Sequence, residues 1–201
     1  MPKRIKKMIA YSSIVLLLLS GLYYTVTRIN LNPNHHAGEQ IDSFNGVTVY
    51  YNGGVNHITG RNLSQDGYNL GLKYQCVEFV KRYYYQFYQH KMPDSYGHAK
   101  DFYDQSIASG ELNRKRNLLQ FANGGEHPPQ VGDILVFKAS LLNRFGHVAI
   151  VSRVDAQQVE IIQQNPGPFA ASRVQYPLTH KQQLWTIDQD RILGWLRKAS
   201  P

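Results

Sequence analysis

One cysteine stands in the 201 residues, Cys76, and it stands where the pattern of the chain changes. Gly71-Leu72-Lys73-Tyr74-Gln75 ahead of it reads as loop. Behind it Val77, Val80, Tyr84, Phe87 and Tyr88 recur at the three-four spacing of an amphipathic helix. Cys76 is therefore expected at the helix N-terminus, where unpaired backbone N–H groups and the positive dipole end favour an anion. A thiol so placed loses its proton more readily, and the thiolate is the nucleophile. A buried structural cysteine fits the same pattern, because free Cys is among the most buried residue types.

A thiolate in acyl transfer needs a base, and the base needs a group to orient it. Of the eight histidines, His147 is the best placed. It follows Gly146 and opens the apolar run Val148-Ala149-Ile150-Val151, so a strand would hold its ring. Gly146 would leave room beside it for a substrate backbone. An inert strand-end histidine is the bland reading, and spacing alone favours it. The orienting group should lie on a neighbouring strand, and Ile161-Ile162-Gln163-Gln164-Asn165 offers amides. Strand alternation puts Gln163 and Asn165 on one face and Gln164 on the other. An oxyanion hole would combine the Cys76 backbone N–H with a donor just ahead of it, for which Gln75 is the candidate.

The elements that must position these residues follow from the rest of the chain. Val47 to Tyr51 is a strand-like run stopped by Asn52-Gly53-Gly54, and residues 56–74 read as a polar loop. The helix is expected over 76–90. A shorter second helix over 98–109 would bury Phe102, Tyr103 and Ile107. Residues 111–130 are charged and then turn-rich, with Pro128-Pro129 precluding a regular element across them. Strand patterns then follow at 133–137, 146–154, 159–163, 173–176, 184–187 and 192–196. Helices first and antiparallel strands after them make an α+β fold. No repeat or heptad appears, and the oligomeric state is left open.

The first residues belong to something else. Lys3, Arg4, Lys6 and Lys7 precede twenty uncharged residues, Met8 to Thr27, enough to cross a bilayer core of ~30 Å as a helix. The basic flank should stay in the cytoplasm, and Tyr23 and Tyr24 suit the far interface. A cleaved signal peptide competes with an uncleaved anchor, but Ser20-Gly21-Leu22 is a poor cleavage site. The expected division is a cytoplasmic tail 1–7, a transmembrane anchor 8–27, a linker 28–46 and a catalytic domain 47–197 beyond the membrane. His35-His36 in that linker lacks a third ligand at metal-binding spacing, so no metal is expected.

Charge narrows the partners. The net charge is +8, but residues 1–28 hold five basic residues and no acidic one, which leaves 17 against 14 and only +3 for the remainder. No basic stripe interleaved with aromatics speaks for nucleic acid, and no nucleotide loop or cofactor motif is present. Export also bears on the cysteine. An oxidising compartment pairs thiols, so an unpaired one points to intermolecular pairing or to reactivity.

Tyr74-Gln75-Cys76-Val77-Glu78-Phe79, then Gly146-His147-Val148-Ala149-Ile150, then Gln163-Gln164-Asn165, together resemble a CHAP domain (cysteine, histidine-dependent amidohydrolase/peptidase). The wording Gln-Cys-Val-Glu-Phe and the ending Ile192-Leu193-Gly194-Trp195-Leu196 are similar to the glutathionylspermidine amidase branch. The resemblance covers about residues 47–197. It implies a papain-like α+β fold, amide hydrolysis through a thioester, Cys76 as nucleophile and His147 as proton shuttle. It implies Gln163 as the third catalytic residue, where that branch usually has Glu, and Asn165 as an assisting position. Lys81 stands where that branch tends to have an arginine on its first helix. If that arginine meets a substrate carboxylate, Lys81 keeps the charge without the bidentate fork. The expected substrate is peptidoglycan peptide, with a glutathionylspermidine-like amide or a catalytically weak wall-binding adaptor as alternatives. A reporter active only outside the cytoplasm, fused after residue 201, is expected to be active. A dark reporter would remove the main reason for preferring the wall.

Overall fold

The computed structural model describes residues 2–199. The chain opens with helix α1 (Lys3–Arg28), 26 residues or about 39 Å at 1.5 Å per residue, long enough to cross a membrane. Leu16 to Leu19 and their neighbours are exposed, so the helix presents an apolar surface that the rest of the protein leaves uncovered. By length and composition the helix could serve as a membrane anchor or a signal sequence. Its last turn is docked. Thr27 is buried and its carbonyl accepts the Asn56 N–H at 2.8 Å.

Residues 28–46, expected as a linker, lie folded on the domain. The Tyr51 hydroxyl donates to Asn30 Oδ1 (2.8 Å) and Asn32 Nδ2 donates to the Pro168 carbonyl (2.8 Å). Strand β1 (Gln40–Phe44) pairs antiparallel with β2 (Val47–Tyr50). The segment holds by hydrogen bonds to backbone and side chains rather than by an apolar stripe, which is why its composition reads as linker. A second hairpin, β3 (Arg61–Leu63) with β4 (Asn69–Leu72), lies within the stretch expected as loop.

Helix α2 (Cys76–Tyr88) begins at the cysteine, as its spacing predicts, and stops where Gln89 turns left-handed at φ 51°. It is buried more broadly than a single stripe. Phe79, Val80, Tyr83 and Tyr84 are buried, and so are Glu78, Lys81 and Arg82 around the other side, while Phe87 is exposed. The helix packs between β2, β4 and the main sheet, so its first two turns have little free surface.

The second helix expected over 98–109 is only a 3-10 turn, Ala99–Phe102. Buried Arg116 takes the carbonyls of Asp94 (2.5 Å) and Tyr96 (3.3 Å) ahead of this turn and that of Asp101 (3.5 Å) within it, and of these a regular helix over 98–109 would use the Asp101 oxygen internally. Phe102 is nevertheless fully buried, with Tyr103 and Ile107 partly so.

Eight strands follow among the described residues: β5 (Leu112–Asn113), β6 (Leu118–Ala122), β7 (Ile134–Phe137), β8 (His147–Val154), β9 (Gln158–Ile162), β10 (Arg173–Lys181), β11 (Leu184–Ile187) and β12 (Ile192–Arg197). They form one antiparallel sheet in the order β11-β10-β9-β8-β7-β12-β6-β5, so the fold is α+β. The strands β5 and β6 lie in the stretch read as turn-rich. Alternate residues of the central strands serve two cores. Ile134, Val136, Val148, Ile150 and Ile162 meet α2. Leu135, Phe137, Ala149, Val151 and Ile161 meet Leu178, Ile187 and Trp195 on the other face. Burial on both faces explains why these strands read as unbroken apolar runs. Each fully buried side chain of this kind contributes roughly 1.5–3 kcal/mol.

His147 is the first residue of β8, paired with Phe137. Gly146 ahead of it has φ 76°, and a Cβ there would lie 2.6 Å from the Phe137 carbonyl oxygen and 2.9 Å from Lys100. The side a Cβ would take is therefore filled by the protein's own backbone, while Gly146 lines a cleft on its other side. Gly146→Ala is expected to lower stability by about 3 kcal/mol, combining backbone strain with collision. Gly46→Ala, at φ 78° in open space, should lose only about 1 kcal/mol. Urea midpoints of both variants against the parent check this, and equal losses would count against the close approach.

Candidate active site

Three consecutive residues after β9 hold the site together, each with a different partner. Gln163 reaches the histidine. Its Oε1 lies 2.9 Å from His147 Nε2, and its Nε2 donates to the Ala171 carbonyl at 2.9 Å. The carbonyl accepts only, so it fixes which end of the amide faces the ring. His147 Nε2 must then be the donor, and the lone pair is left on Nδ1.

Gln164 reaches helix α2. Its Nε2 donates to Glu78 Oε2 (2.8 Å) and to the Gln75 carbonyl (2.9 Å), and its Oε1 accepts the Tyr50 N–H (2.8 Å). Glu78, 2% exposed, is also paired with Arg82 (2.6 Å) and receives Asn62 Nδ2 (2.8 Å). The i,i+4 spacing of Glu78 and Arg82 was the signal for this network in the sequence, and it passed unread.

Asn165, at φ 58°, leaves the strand alternation that would have set it beside Gln163. Its Nδ2 donates to Gln75 Oε1 (2.7 Å) and to the Val55 carbonyl (2.8 Å). It joins the loop above the cysteine rather than the histidine. Gln75 Nε2 donates to the carbonyls of His57 (2.7 Å) and Val55 (3.3 Å). Both its N–H bonds are engaged, so this side chain has no donor left for an oxyanion. The other donors here are backbone amides. Those of Cys76 and Val77 lie ahead of the first intrahelical bond, Phe79 N–H to the Gln75 carbonyl (3.2 Å).

Lys81 is 1% exposed. Its ammonium donates to the Asn69 carbonyl and to the Ser95 carbonyl (2.8 Å) and sits over the Tyr68 ring. It anchors backbone behind the site and does not line a cleft. Burial, then the charges of Arg116 and Arg61, pull it down to about 8.

Cys76 and His147 are each 7% exposed. The sulfur lies at the backbone amide of Val148, the residue after His147, which brings the thiol to the start of β8. Two clefts meet at this point and share Val55 and Asn143 in their walls. The one on the cysteine side, about 500 Å³, is lined by Cys76, Gln75, Tyr96 and Phe145 among others. The one on the histidine side, about 420 Å³, is lined by His147, Gln163, Tyr176 and Arg191 among others. Burial pushes the thiol up to about 11, against the pull of the Val148, Val77 and Cys76 amides. Burial likewise pushes His147 down to about 4; the Gln163 acceptor opposes this and the Arg191 charge adds to it. Burial thus favours the uncharged form of both the thiol and the imidazole.

Residues 66–165 match the model of the CHAP domain family. Among curated proteins, trypanothione synthetase of Crithidia fasciculata is 26% identical over 160 residues, covering 75% of this chain and 24% of that protein. Glutathionylspermidine synthase of the same organism is 29% identical over 154 residues, covering 66% and 20%. The bifunctional glutathionylspermidine synthetase/amidase of Escherichia coli strain K12 is 29% identical over 146 residues, covering 63% and 22%. The chain spans less than a quarter of the length of these relatives. These similarities support a hydrolase of the CHAP type.

The neutral pair has a measurable consequence. Alkylation of Cys76 by iodoacetamide is expected to rise with pH toward an apparent pKa above that of a free thiol, without a plateau below pH 7. Gln163→Glu places a charge on His147 Nε2, which raises the imidazole pKa, lowers that of the thiol and speeds alkylation near neutrality by about tenfold. A low-pH plateau in the parent protein would show a standing thiolate–imidazolium pair instead.

Proposed function

We propose, for a chain that carries a CHAP domain, that the protein is an amide hydrolase with Cys76 as nucleophile and His147 as proton shuttle, and that peptidoglycan peptide outside the cytoplasm is its substrate. The observation that carries the reading is the bond from His147 to Gln163, with Gln163 held by Ala171. It leaves the lone pair on His147 Nδ1, one residue before the Val148 amide that meets the Cys76 thiol.

In this reading the thiol gives its proton to Nδ1 as Sγ attacks the substrate carbonyl. The oxyanion forms against the backbone amides at the start of α2, where the helix dipole favours it. Nδ1 then delivers the proton to the leaving nitrogen and a thioester remains. Water, deprotonated by the same nitrogen, attacks the thioester and restores the thiol. Gln163 stabilises the transient imidazolium as a dipole, and less strongly than a carboxylate would. The cell wall as substrate is supported by the uncovered apolar helix α1 behind a basic tail, which suits an anchor in the cytoplasmic membrane with the domain on its outer side.

A second reading, hydrolysis of a glutathionylspermidine-like amide, is favoured by the names of the relatives. The test uses the full chain in detergent, since Thr27, Asn30 and Asn32 are bound into the domain. It is incubated under reducing conditions with purified peptidoglycan and, separately, with glutathionylspermidine, and new ends are read by mass spectrometry. New muropeptide ends, reduced by about 10³-fold or more in Cys76→Ala, are expected. Spermidine release would establish the second reading. No product dependent on Cys76 from either substrate would return the domain to a wall-binding adaptor.

A further inference from the structure

The cleft on the cysteine side carries positive charge without a counter-charge. Arg28, the last residue of α1, and Arg61, the first of β3, both line it. Arg61 donates to Asn69 Oδ1 at 2.9 Å and its guanidinium lies 5.6 Å from the centre of the Tyr96 ring. The Arg28 guanidinium lies 5.8 Å from the Tyr24 ring centre. Among the described residues, neither has a carboxylate within ion-pair distance, and no Asp or Glu lines this cleft. The cleft on the histidine side repeats the pattern. It contains Arg191 and no acid, and the buried Arg191 Nε has no hydrogen-bond partner. A polyamine would find no carboxylate to meet in either cleft, whereas a carboxylate would meet guanidinium groups.

We infer that the Cys76 cleft takes a substrate bearing a carboxylate, held between Arg28 from the end of α1 and Arg61 from the hairpin β3–β4. The inference rests on the proposed role of Cys76 and names the chemistry of what it acts on, an acidic peptide. It also makes α1 more than a tether. The turn that carries Arg28 is held in place by the bond from Asn56 N–H to the Thr27 carbonyl, and Asn56 and Val55 line the same cleft. A cleft of about 500 Å³ is roughly 8 Å across if compact, about one Debye length at physiological ionic strength, so both guanidiniums act on charge within it.

The lone cysteine makes a test possible that does not depend on turnover. Iodoacetate and iodoacetamide both alkylate Cys76, the S–C bond forming as iodide leaves, and they differ in charge. In the full chain in detergent, the ratio of their rate constants is expected to fall roughly threefold or more in Arg28→Gln/Arg61→Gln. It should recover in Arg28→Lys/Arg61→Lys, and in the parent it should fall at high salt. The iodoacetamide rate itself reports an intact site in each variant. A ratio that is the same in the parent and the double Gln variant would overturn the inference. A second measurement uses Cys76→Ala. A dipeptide with a free carboxylate, glycyl-aspartate, should raise its thermal midpoint and glycyl-asparagine amide should not; equal shifts would also overturn it. Failure of the product assay would sink the hydrolase reading and leave both of these answers standing.

Discussion

A carboxylate taken out of water must be fully partnered, and in this protein the carboxylate is Glu78. Its donors come from three places: Arg82 one turn along α2, Gln164 beyond β9, and Asn62 in the β3–β4 hairpin. An unpaired charge at such depth would cost several kcal/mol, so the three elements are held to one arrangement. Cys76 sits two residues before Glu78, and Gln163 sits one residue before Gln164. Satisfying the carboxylate therefore also sets the distance and direction between the helix that begins at Cys76 and the strand that leads to Gln163. Gly71 is part of the same constraint, since a Cβ there would approach the Glu78 backbone to 3.2 Å.

The same exclusion of water sets the protonation of the site. Both Cys76 and His147 are displaced toward their neutral forms by burial. A carboxylate at position 163 would oppose that by stabilising imidazolium. A glutamine does not, but it satisfies the Ala171 carbonyl, which a carboxylate has no hydrogen to meet. The identity of residue 163 thus settles two matters together, the tautomer of His147 and the partner of a backbone oxygen.

The irregular walls are held by cations acting on carbonyls rather than on carboxylates. Lys81 binds the carbonyls of Asn69 and Ser95, and Arg116 binds those of Asp94 and Tyr96 while stacking on Phe102 at 4.1 Å. Residues 95–99 line the cysteine-side cleft, and a segment without regular structure leaves carbonyls that need donors from elsewhere. Both cations occupy that role, which explains why both are buried, and the Arg116 charge adds to burial in lowering the proton affinity of Lys81. The loop 53–57 is fastened in the converse way. Its carbonyls receive Gln75 and Asn165, and its Asn56 N–H is taken by Thr27.

What the sequence determined by itself is what periodicity and local chemistry carry. The helix beginning at Cys76, the apolar strands of the sheet and the uncharged run of α1 were legible because each writes a repeating pattern into neighbouring residues. Cys76, His147 and Gln163 were singled out by type, order and resemblance. Tertiary structure decided the rest, because the deciding partners are far apart in the chain. Nothing local announces that residues 28–46 fold onto Tyr51 and Pro168, or that polar residues 61–72 make a hairpin. Lys81 looks like a substrate ligand until the carbonyls of Asn69 and Ser95 are seen to occupy it, and Gln75 looks like an oxyanion donor until His57 and Val55 do the same. Arg28 reads as the outer flank of an apolar helix, and only the docking of Thr27 against Asn56 carries it into the cleft. Pattern reports which face of an element is apolar. A polar side chain has the choice of water, backbone or substrate, and that choice is made only when the chain has closed around it.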